Sequence, residues 1–516
     1  MNEFKDVSYF DQELDKVKVY WQERLSKVQV ETPDKSFNYM VNGWYLYQTL
    51  ASRVMARAGF YQVSGAFGYR DQLQDSINVC PVYPEVTRNQ ILNNAKHQFA
   101  EGDVLHWWLE PKNFGLRTRF KDDYLWLVYA TSEYLRYTLD SEILFEKVPF
   151  VVGDILADYE EEKGVSFTYS DHAETLYEHC RLAIERTLND LGRHGLPKMG
   201  GGDWNDGMNK IGIQGLGESV WLGFFFYDLL ERFIQITRIY NPNLDIKLYQ
   251  EARERLKEHL NQEAWDGEYY LRAFFDNGEA VGSKTSEECK IDLISQSFSI
   301  LSEVIPESRK QSVLQAVDHQ LVDKRTGIVK LLTPAFKNSK NYPGYIMDYP
   351  VGVRENGGQY THSVAWYILA LLKEKKFDEA YEIYQMVNPI HHSKTDKEVE
   401  TYMVEPYVIA ADIYSNPDHK GRGGWTWYTG SSGWFYRVGL EYICGFTLHG
   451  NELMITPHMP SKWDKIKINY HHLDSVYQIT ITKENKPSLK VDNQKQEKIL
   501  LVNDGKTHQV EIGVDR

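Results

Sequence analysis

Two carboxylates behind a run of three glycines are the part of this sequence best equipped for chemistry. They lie in Met199–Asn209, MGGGDWNDGMN, where Asp203 and Asp206 flank Trp204 and Asn205. Glycine admits backbone paths closed to other residues and lets a ligand approach the chain. The glycines and the Asn/Asp residues do not suit a helix, and an indole in a simple turn needs something to cover it. A ligand resting on Trp204 beside a proton donor supplies that cover. A plain turn built by Asp and Asn is the structural alternative. Residue chemistry alone does not rank the two acids.

Three further stretches pair polar groups with glycine. In Gly59–Asp75 an aromatic, small-residue loop delivers Arg70 and Asp71 to the start of a helix. They form a donor–acceptor pair for sugar hydroxyls, or an N-cap with its ion partner. In Arg354–His362, RENGGQYTH, a Gly–Gly step precedes a helix whose first turn holds His362. Backbone N–H groups at such a start can receive an anion, and Glu355 and Gln359 are candidate sugar contacts. In Gly421–Trp434, GRGGWTWYTGSSGW, hydroxyl and N–H donors crowd a glycine-rich loop before another helix. That excess of donors suits an oxyanion or phosphate, or a tight corner between domains. It lacks the GK[ST] ending of a Walker loop.

The elements that must hold these stretches are mostly helices. Apolar residues recur at helical spacing within 11–28, with further helices expected near 39–57, 85–100, 121–138, 174–192, 218–239, 247–260, 291–303, 308–320, 361–373, 377–386, 404–413 and 432–442. The spacers between them are long and rich in Gly, Pro, Asp and Asn, which suggests helical hairpins around an axis with the site in the loops. After about 445 the period changes. Short alternating runs at 453–456, 466–470, 476–482, 489–491, 499–502 and 510–514 read as strands of a small antiparallel domain.

Composition narrows the class. Acids outnumber bases, 73 to 58, for a net charge of −15. That excludes the basic footprint of a nucleic-acid binder. No apolar run approaches the ~18 residues of a spanning helix, and residues 1–30 are mixed and charged, so no membrane is expected and the cytoplasm is the expected location. The four cysteines are scattered without a CxxC pair and read as reduced, buried thiols. Aromatic residues are 14% of the chain, with 13 Trp and 35 Tyr. Rings that stack on sugar faces, in an acidic chain, fit a carbohydrate-active protein.

The strings MGGGDWNDGMN, GLGESVWLGFF, FGYRDQLQD, HQFAEGDVLHWW, LRTRFKDDYLWL, ENGGQYTHSVAWY and GGWTWYTGSSGWFYR resemble the cellobiose/chitobiose phosphorylase family of inverting glycoside phosphorylases, glycoside hydrolase family 94. The resemblance runs in family order from about 38 to 460. It is most similar to the branch acting on β-1,2-linked glucooligosaccharides, including the phosphorylase part of cyclic β-1,2-glucan synthases. It implies an (α/α)6 barrel followed by a small antiparallel β-sandwich. It also implies reversible phosphorolysis to α-glucose 1-phosphate, with phosphate as co-substrate and neither cofactor nor metal.

By the family pattern the general acid is Asp206. Trp204, Arg70, Asp71, Asp203, Glu355 and Gln359 bind sugar, and His362, Thr429 and Gly430 contact phosphate. Two departures stand out. Relatives carry an extra phosphate-binding arginine just before position 70, where this chain has Ser64–Gly65–Ala66. Arg422 and Arg354 are the candidates to replace it. Relatives also begin with a large β-sandwich, so residues 1–30 are expected to form a helix docked on the barrel at 31–444, with the β domain at 445–516. Leu14, Val17, Tyr20 and Trp21 mark its expected buried face. An open acceptor side then favours oligosaccharides. A homodimer is left open. The alternatives are a hydrolase using the same acid on water, or a non-catalytic glucan-binding barrel.

Overall fold

The computed structural model describes residues 7–157 and 160–515. Its helices are α1 (Val7–Leu25), α2 (35–55), α3 (Tyr69–Val79), α4 (Pro84–Ala95), α5 (Leu125–Thr138), α6 (Leu176–Leu188) and α7 (Val220–Tyr240). They continue with α8 (Lys247–Glu263), α9 (Leu293–Leu301), α10 (Glu307–Leu321), α11 (Thr361–Lys373), α12 (Phe377–Val387), α13 (Asp396–Tyr402) and α14 (431–443).

Burial sorts these helices into two layers. In α11 every residue from Thr361 to Leu372 is buried, and α9 is buried from Leu293 to Ile300. Helices apolar all round belong inside. In α8 only Tyr249, Ala252, Leu256 and Leu260 are buried, a single stripe with charge on the remaining face. The inner helices α3, α5, α7, α9, α11 and α14 touch in that order, and α14 closes on α3. The outer helices α2, α4, α6, α8, α10 and α12 pack on this ring.

The ring is joined electrostatically as well as by apolar packing. Glu133 on α5 accepts from Arg136 at 2.9 Å and Arg232 of α7 at 2.7 Å, and also from Arg437 of α14. Arg437 Nε in turn donates to Glu441 at 2.7 Å. Burial opposes a charge on Glu133, but the three arginines outweigh it and hold its carboxyl well below the usual range.

Several expectations change. The stretch near 404–413 is not helical. Its apolar run, buried from Val408 to Ile413, follows Pro406 and ends in the strand Asp412–Ile413, paired with Gln359–Tyr360. A short apolar run does not distinguish strand from helix by period alone. The region between α4 and α6 also holds strands. Leu105–Leu109, Phe114–Thr118 and Glu162–Ser166 form a sheet with Phe67–Gly68, and Lys147–Val152 pairs with Thr168–Thr175. These ladders join distant segments, which local periodicity does not register.

The C-terminal strands form two sheets, of three and six strands. Ile466, Ile468 and Tyr470 alternate inward on one strand, and Tyr477, Ile479 and Ile481 on the next. The larger sheet is mixed rather than antiparallel, because Ser475–Glu484 and Thr507–Asp515 run parallel. It also recruits Val28–Glu31 as an edge strand beside Lys465–His472. Residues 28–31 therefore belong with the C-terminal sheet, across the boundary expected at residue 30. The four cysteines are free and buried.

Helix α1 is seated by its last two turns. Trp21 meets Tyr47 at a ring distance of 4.5 Å, and Arg24 O accepts from the Tyr83 hydroxyl at 2.6 Å. Leu14 and Val17, expected on the buried face, are 52% and 54% exposed. The first turns run past the surface that Trp21 grips.

Replacing Glu133 by Gln leaves buried Arg437 and the partly buried Arg136 and Arg232 without their shared anion. The expected loss is about 3–5 kcal/mol of unfolding free energy, read from urea denaturation. A change under about 1 kcal/mol would show that the helical ring does not depend on this cluster.

Candidate functional site

The motif loops converge on one cavity of about 450 Å³. Arg70, Asp71, Trp204, Asp206, Glu355, His362, Thr429 and Gly430 all line it. Their positions follow from the ring: α3 begins at Tyr69, α11 at Thr361 and α14 at Ser431, so the starts of three inner helices reach the same space. A larger groove of about 960 Å³ lies against α12 and contains none of these residues.

Backbone shape places the acid. Gly200 and Gly202 have φ of +57° and +143°. A Cβ at Gly200 would lie 2.6 Å from Arg119 O, and one at Gly202 would strike the Phe120 ring. Only glycine lets the loop pass here. The chain then enters the short turn Asp206–Met208, with Asn205 accepting from Gly207 N at 3.1 Å. The Asp206 side chain is 31% exposed. Burial raises its pKa, against the lowering effects of Arg70 and His106. That is the direction a proton donor needs.

The cations beside Asp206 are themselves held. Arg70 donates to Asp122 at 2.8 Å, to the Asp203 carbonyl at 3.0 Å and to Asp206. His106 Nδ1 lies 2.8 Å from Asp123, and its Nε2 lies 3.9 Å from Asp206 Oδ2. Burial opposes a charge on His106, but Asp123 and Asp206 outweigh it and push the ring up to about 9. A charged imidazole therefore faces the acid at neutral pH.

Two expected sugar contacts do not reach the cavity. Asp203 is fully buried, and both its oxygens are taken: Arg272 donates to them at 2.6 and 2.7 Å, and Ser219 at 2.6 Å. Burial raises its pKa, yet Arg272 and these hydrogen bonds hold it below the usual range. Asp203 is thus the anchor of the loop, and Asp206 is the acid of the pair that lines the cavity. Gln359 is also fully buried, its Oε1 accepting from Val329 N at 2.9 Å.

Opposite groups on the cavity wall are donors and neutral acceptors. His362 Nε2 lies 3.0 Å from Gln74 Oε1, which already accepts from Trp434 Nε1 at 3.1 Å. The pattern assigns the His362 proton to Nε2 and leaves Nδ1 bare. Burial and then Arg53 and Arg70, against Asp71, hold this imidazole down to about 3. Trp204 touches His362 at a ring distance of 5.2 Å, which joins the acid-bearing loop to this wall. Of the cations expected to replace the missing arginine, Arg422 does not line the cavity. Arg354 does, but it pairs with Glu355 at 3.2 Å beneath Trp425.

Sequence reasoning missed His106, Asp122, Asp123, Arg272 and Arg53. The first three stand inside quoted strings, LHWW and FKDD, without a glycine or a paired group to mark them. Arg272 and Arg53 stand alone in apolar or helical surroundings, and nothing local marks their partners. Among the described residues no group of three or more His, Cys, Asp or Glu could hold a metal ion. No helix among the described residues is long and apolar enough to cross a membrane.

Residues 20–445 match the model of the glycosyl hydrolase 94 superfamily catalytic domain, and the chain belongs to that family. It is 43% identical over 487 residues to the cyclic beta-(1,2)-glucan synthase NdvB of Rhizobium meliloti, covering 94% of this chain and 17% of that protein. It is 30% identical over 502 residues to the solabiose phosphorylase of Paenibacillus borealis, covering 94% and 60%. The chain thus spans less than two thirds of each relative. Among solved structures, a GH78 family rhamnosidase of Bacillus sp. GL1 shares the fold at a TM-score of 0.56 and 10% identity, over 95% of this chain and 44% of that one.

The anchor and the acid separate on substitution. Asp203→Asn removes the bidentate partner of buried Arg272, leaving it Asp292 at 3.5 Å as counter-ion, and is expected to lower unfolding free energy by about 3–5 kcal/mol. Asp206→Asn, at a solvent-facing site, should leave the urea midpoint nearly unchanged. Equal midpoints for the two variants would refute the assignment of Asp203 as the anchor.

Proposed function

We propose that the chain is the catalytic part of an inverting glycoside phosphorylase, an (α/α)6 barrel with a C-terminal β-sandwich. It cleaves β-linked glucooligosaccharides with inorganic phosphate, giving α-glucose 1-phosphate and a sugar one unit shorter. The observation that carries this reading is the asymmetry of the cavity. One carboxyl with a raised pKa, Asp206, shares the cavity with a wall of uncharged polar groups at His362, Thr429 and Gly430.

An inverting hydrolase needs a second carboxylate to activate water from the opposite side. Phosphate is already nucleophilic, so that base is dispensable. Asp206 gives its proton to the glycosidic oxygen as the C1–O bond breaks. A phosphate oxygen bonds to C1 from the opposite face, which converts the β-linkage to the α-phosphate. Arg70 and charged His106 then stabilise the Asp206 carboxylate. Trp204 and Asp71 line the donor-sugar space, with Glu355 beside them.

A β-1,2 linkage is the substrate supported by the 43% identity to a protein named as a cyclic beta-(1,2)-glucan synthase. An oligosaccharide is supported by rings around the cavity: Trp107, Tyr345 and Trp425 line it, and exposed Tyr61 meets Trp425 at 5.7 Å. Rings with one wet face suit stacking on successive sugars. The cytoplasm remains the proposed location.

The test is turnover of a β-1,2-glucan length series with and without phosphate. Phosphate-dependent release of α-glucose 1-phosphate is expected, and full-rate release of reducing sugar without phosphate would overturn the reading. Asp206→Asn should lower phosphorolysis and synthesis alike by ~10²–10⁴-fold, and a loss under about tenfold would move the acid elsewhere.

The pH profile tests the neighbours of the acid. A general acid must be protonated, so activity falls as pH rises through its pKa. The charge on His106 lowers that pKa. His106→Gln is therefore expected to move the alkaline limb of kcat/KM to higher pH. A limb that stays in place, or moves down, would remove His106 from this role.

A further inference from the structure

The donor wall lacks an obvious charge for an anion. His362 is neutral there, and Thr429 and Gly430 contribute only uncharged groups. Of the arginines on the cavity, Arg70 is spent on Asp122, Asp206 and the Asp203 carbonyl, and Arg354 is paired with Glu355. Nearby Arg57 donates to the carbonyls of Val54, Met55 and Gly65 and lies over the Phe67 ring.

Arg53 differs from all of these. It stands in Thr49–Met55, a widened-turn segment of α2, and such segments recur at functional sites. Its side chain is 3% exposed, yet it lines the cavity. Nε donates to Asp75 at 2.8 Å and Nη2 to Asp71 at 3.3 Å, and the guanidinium lies 4.0 Å from the centre of the Tyr428 ring. These contacts fix its plane. Nη1 has no acceptor among the described residues, and it is not among the enclosed unpaired atoms. Its N–H groups are left to the cavity.

Its neighbours are the wall itself. Tyr428 directly precedes Thr429 and Gly430. A Cβ at Gly430 would lie 3.0 Å from His362 Cε1 and 3.5 Å from Asp75 Oδ1, so Arg53, Asp75, Gly430 and His362 form one cluster. Asp75 Oδ1 is buried without a partner. Burial pushes the Asp75 carboxyl up to about 7 in spite of Arg53.

Resting on the phosphorylase reading above, we propose that Arg53 is the cation that holds inorganic phosphate, through Nη1, beside His362 and Thr429–Gly430. Guanidinium N–H groups give phosphate oxygens charge-assisted hydrogen bonds. The bare Nδ1 of His362 suits the P–OH of the same ion as a hydrogen-bond donor. Arg53 thus stands in for the arginine absent at Ser64–Gly65–Ala66, from a different element.

The test varies phosphate against a fixed β-1,2-glucooligosaccharide for wild type, Arg53→Gln, Arg53→Lys and Arg354→Gln. Arg53→Gln is expected to raise the phosphate KM by about 10- to 100-fold, as loss of a hydrogen bond to a charged group implies, with the sugar KM changed far less. Arg53→Lys, which keeps the charge without the fork, should fall between. Because Arg53→Gln strands Asp75, the double variant Arg53→Gln/Asp75→Asn repeats the measurement in a neutral background. Phosphate titration by calorimetry supplies a readout independent of turnover.

A phosphate KM within about twofold of wild type in both Arg53→Gln backgrounds, or a larger phosphate effect from Arg354→Gln, would overturn the assignment while leaving the phosphorylase reading intact. Wild-type turnover without phosphate would overturn both.

Discussion

The ion pair between Arg272 and Asp203 sets the geometry on which the site depends. Both side chains are fully buried, and the contact is bidentate. Arg272 also lies 3.5 Å from Asp292, the N-cap of α9, and Ser219, the N-cap of α7, donates to Asp203. One cluster therefore ties the glycine loop to the starts of two inner helices. A buried pair of this kind is weak support for stability, but removing one partner is costly. Here its consequence is positional. Asp206 stands three residues along from Asp203, and the loop between them cannot shift without breaking the pair.

Around that fixed point the charges are arranged unevenly. Asp122, Asp123 and Asp206 surround Arg70, with His106 completing the group. On the other wall Asp71 and Asp75 surround Arg53. Asp122, Asp123 and Asp75 orient these cations from the buried side, and each cluster presents polar groups to the cavity: the Asp206 carboxyl on one side, Asp71 and the Arg53 Nη1 group on the other. Trp204 lines the same cavity, packed against His362 and Tyr360. Pre-oriented groups of this sort need little rearrangement when charge develops during bond cleavage.

The aromatic richness of the chain has a largely different meaning from the one composition suggests. Trp108, Trp126, Trp221, Trp366 and Trp463 are fully buried. Trp126, Trp221 and Trp366 pack against Phe225, Phe298 and Trp434 inside the helical ring, mostly edge-on or tilted. Wide rings fill the space between six inner helices. Only a few, such as Trp107, Trp204 and Trp425, turn toward the cavity. The same composition serves packing first and the cavity lining second.

The sequence by itself determined the chemistry of the loops. Glycines at 200 and 202 reveal a backbone path that only glycine can follow, and the Asp–Trp–Asn–Asp string and the Thr–Gly step expose their donors and acids to any reader. Helices buried on every side, such as α11, and the alternation in the last 70 or so residues were legible for the same reason, since period and residue type are local properties. What the tertiary structure decided was which groups remain free. Asp203 and Asp206 look alike along the chain, and only the arrival of Arg272, 69 residues from Asp203, makes one an anchor and leaves the other on the cavity. Gln359 is withdrawn by Val329 N, and the parallel strand pair of the C-terminal sheet is invisible to alternation. Arg53 has no local motif at all. Its meaning comes from Asp71, Asp75 and Tyr428, brought together by packing of α2 against α3 and against α14, which the Tyr428 loop leads into. A side chain's charge state and spare hydrogen-bonding capacity depend on all its neighbours, and those are assembled only when the chain folds.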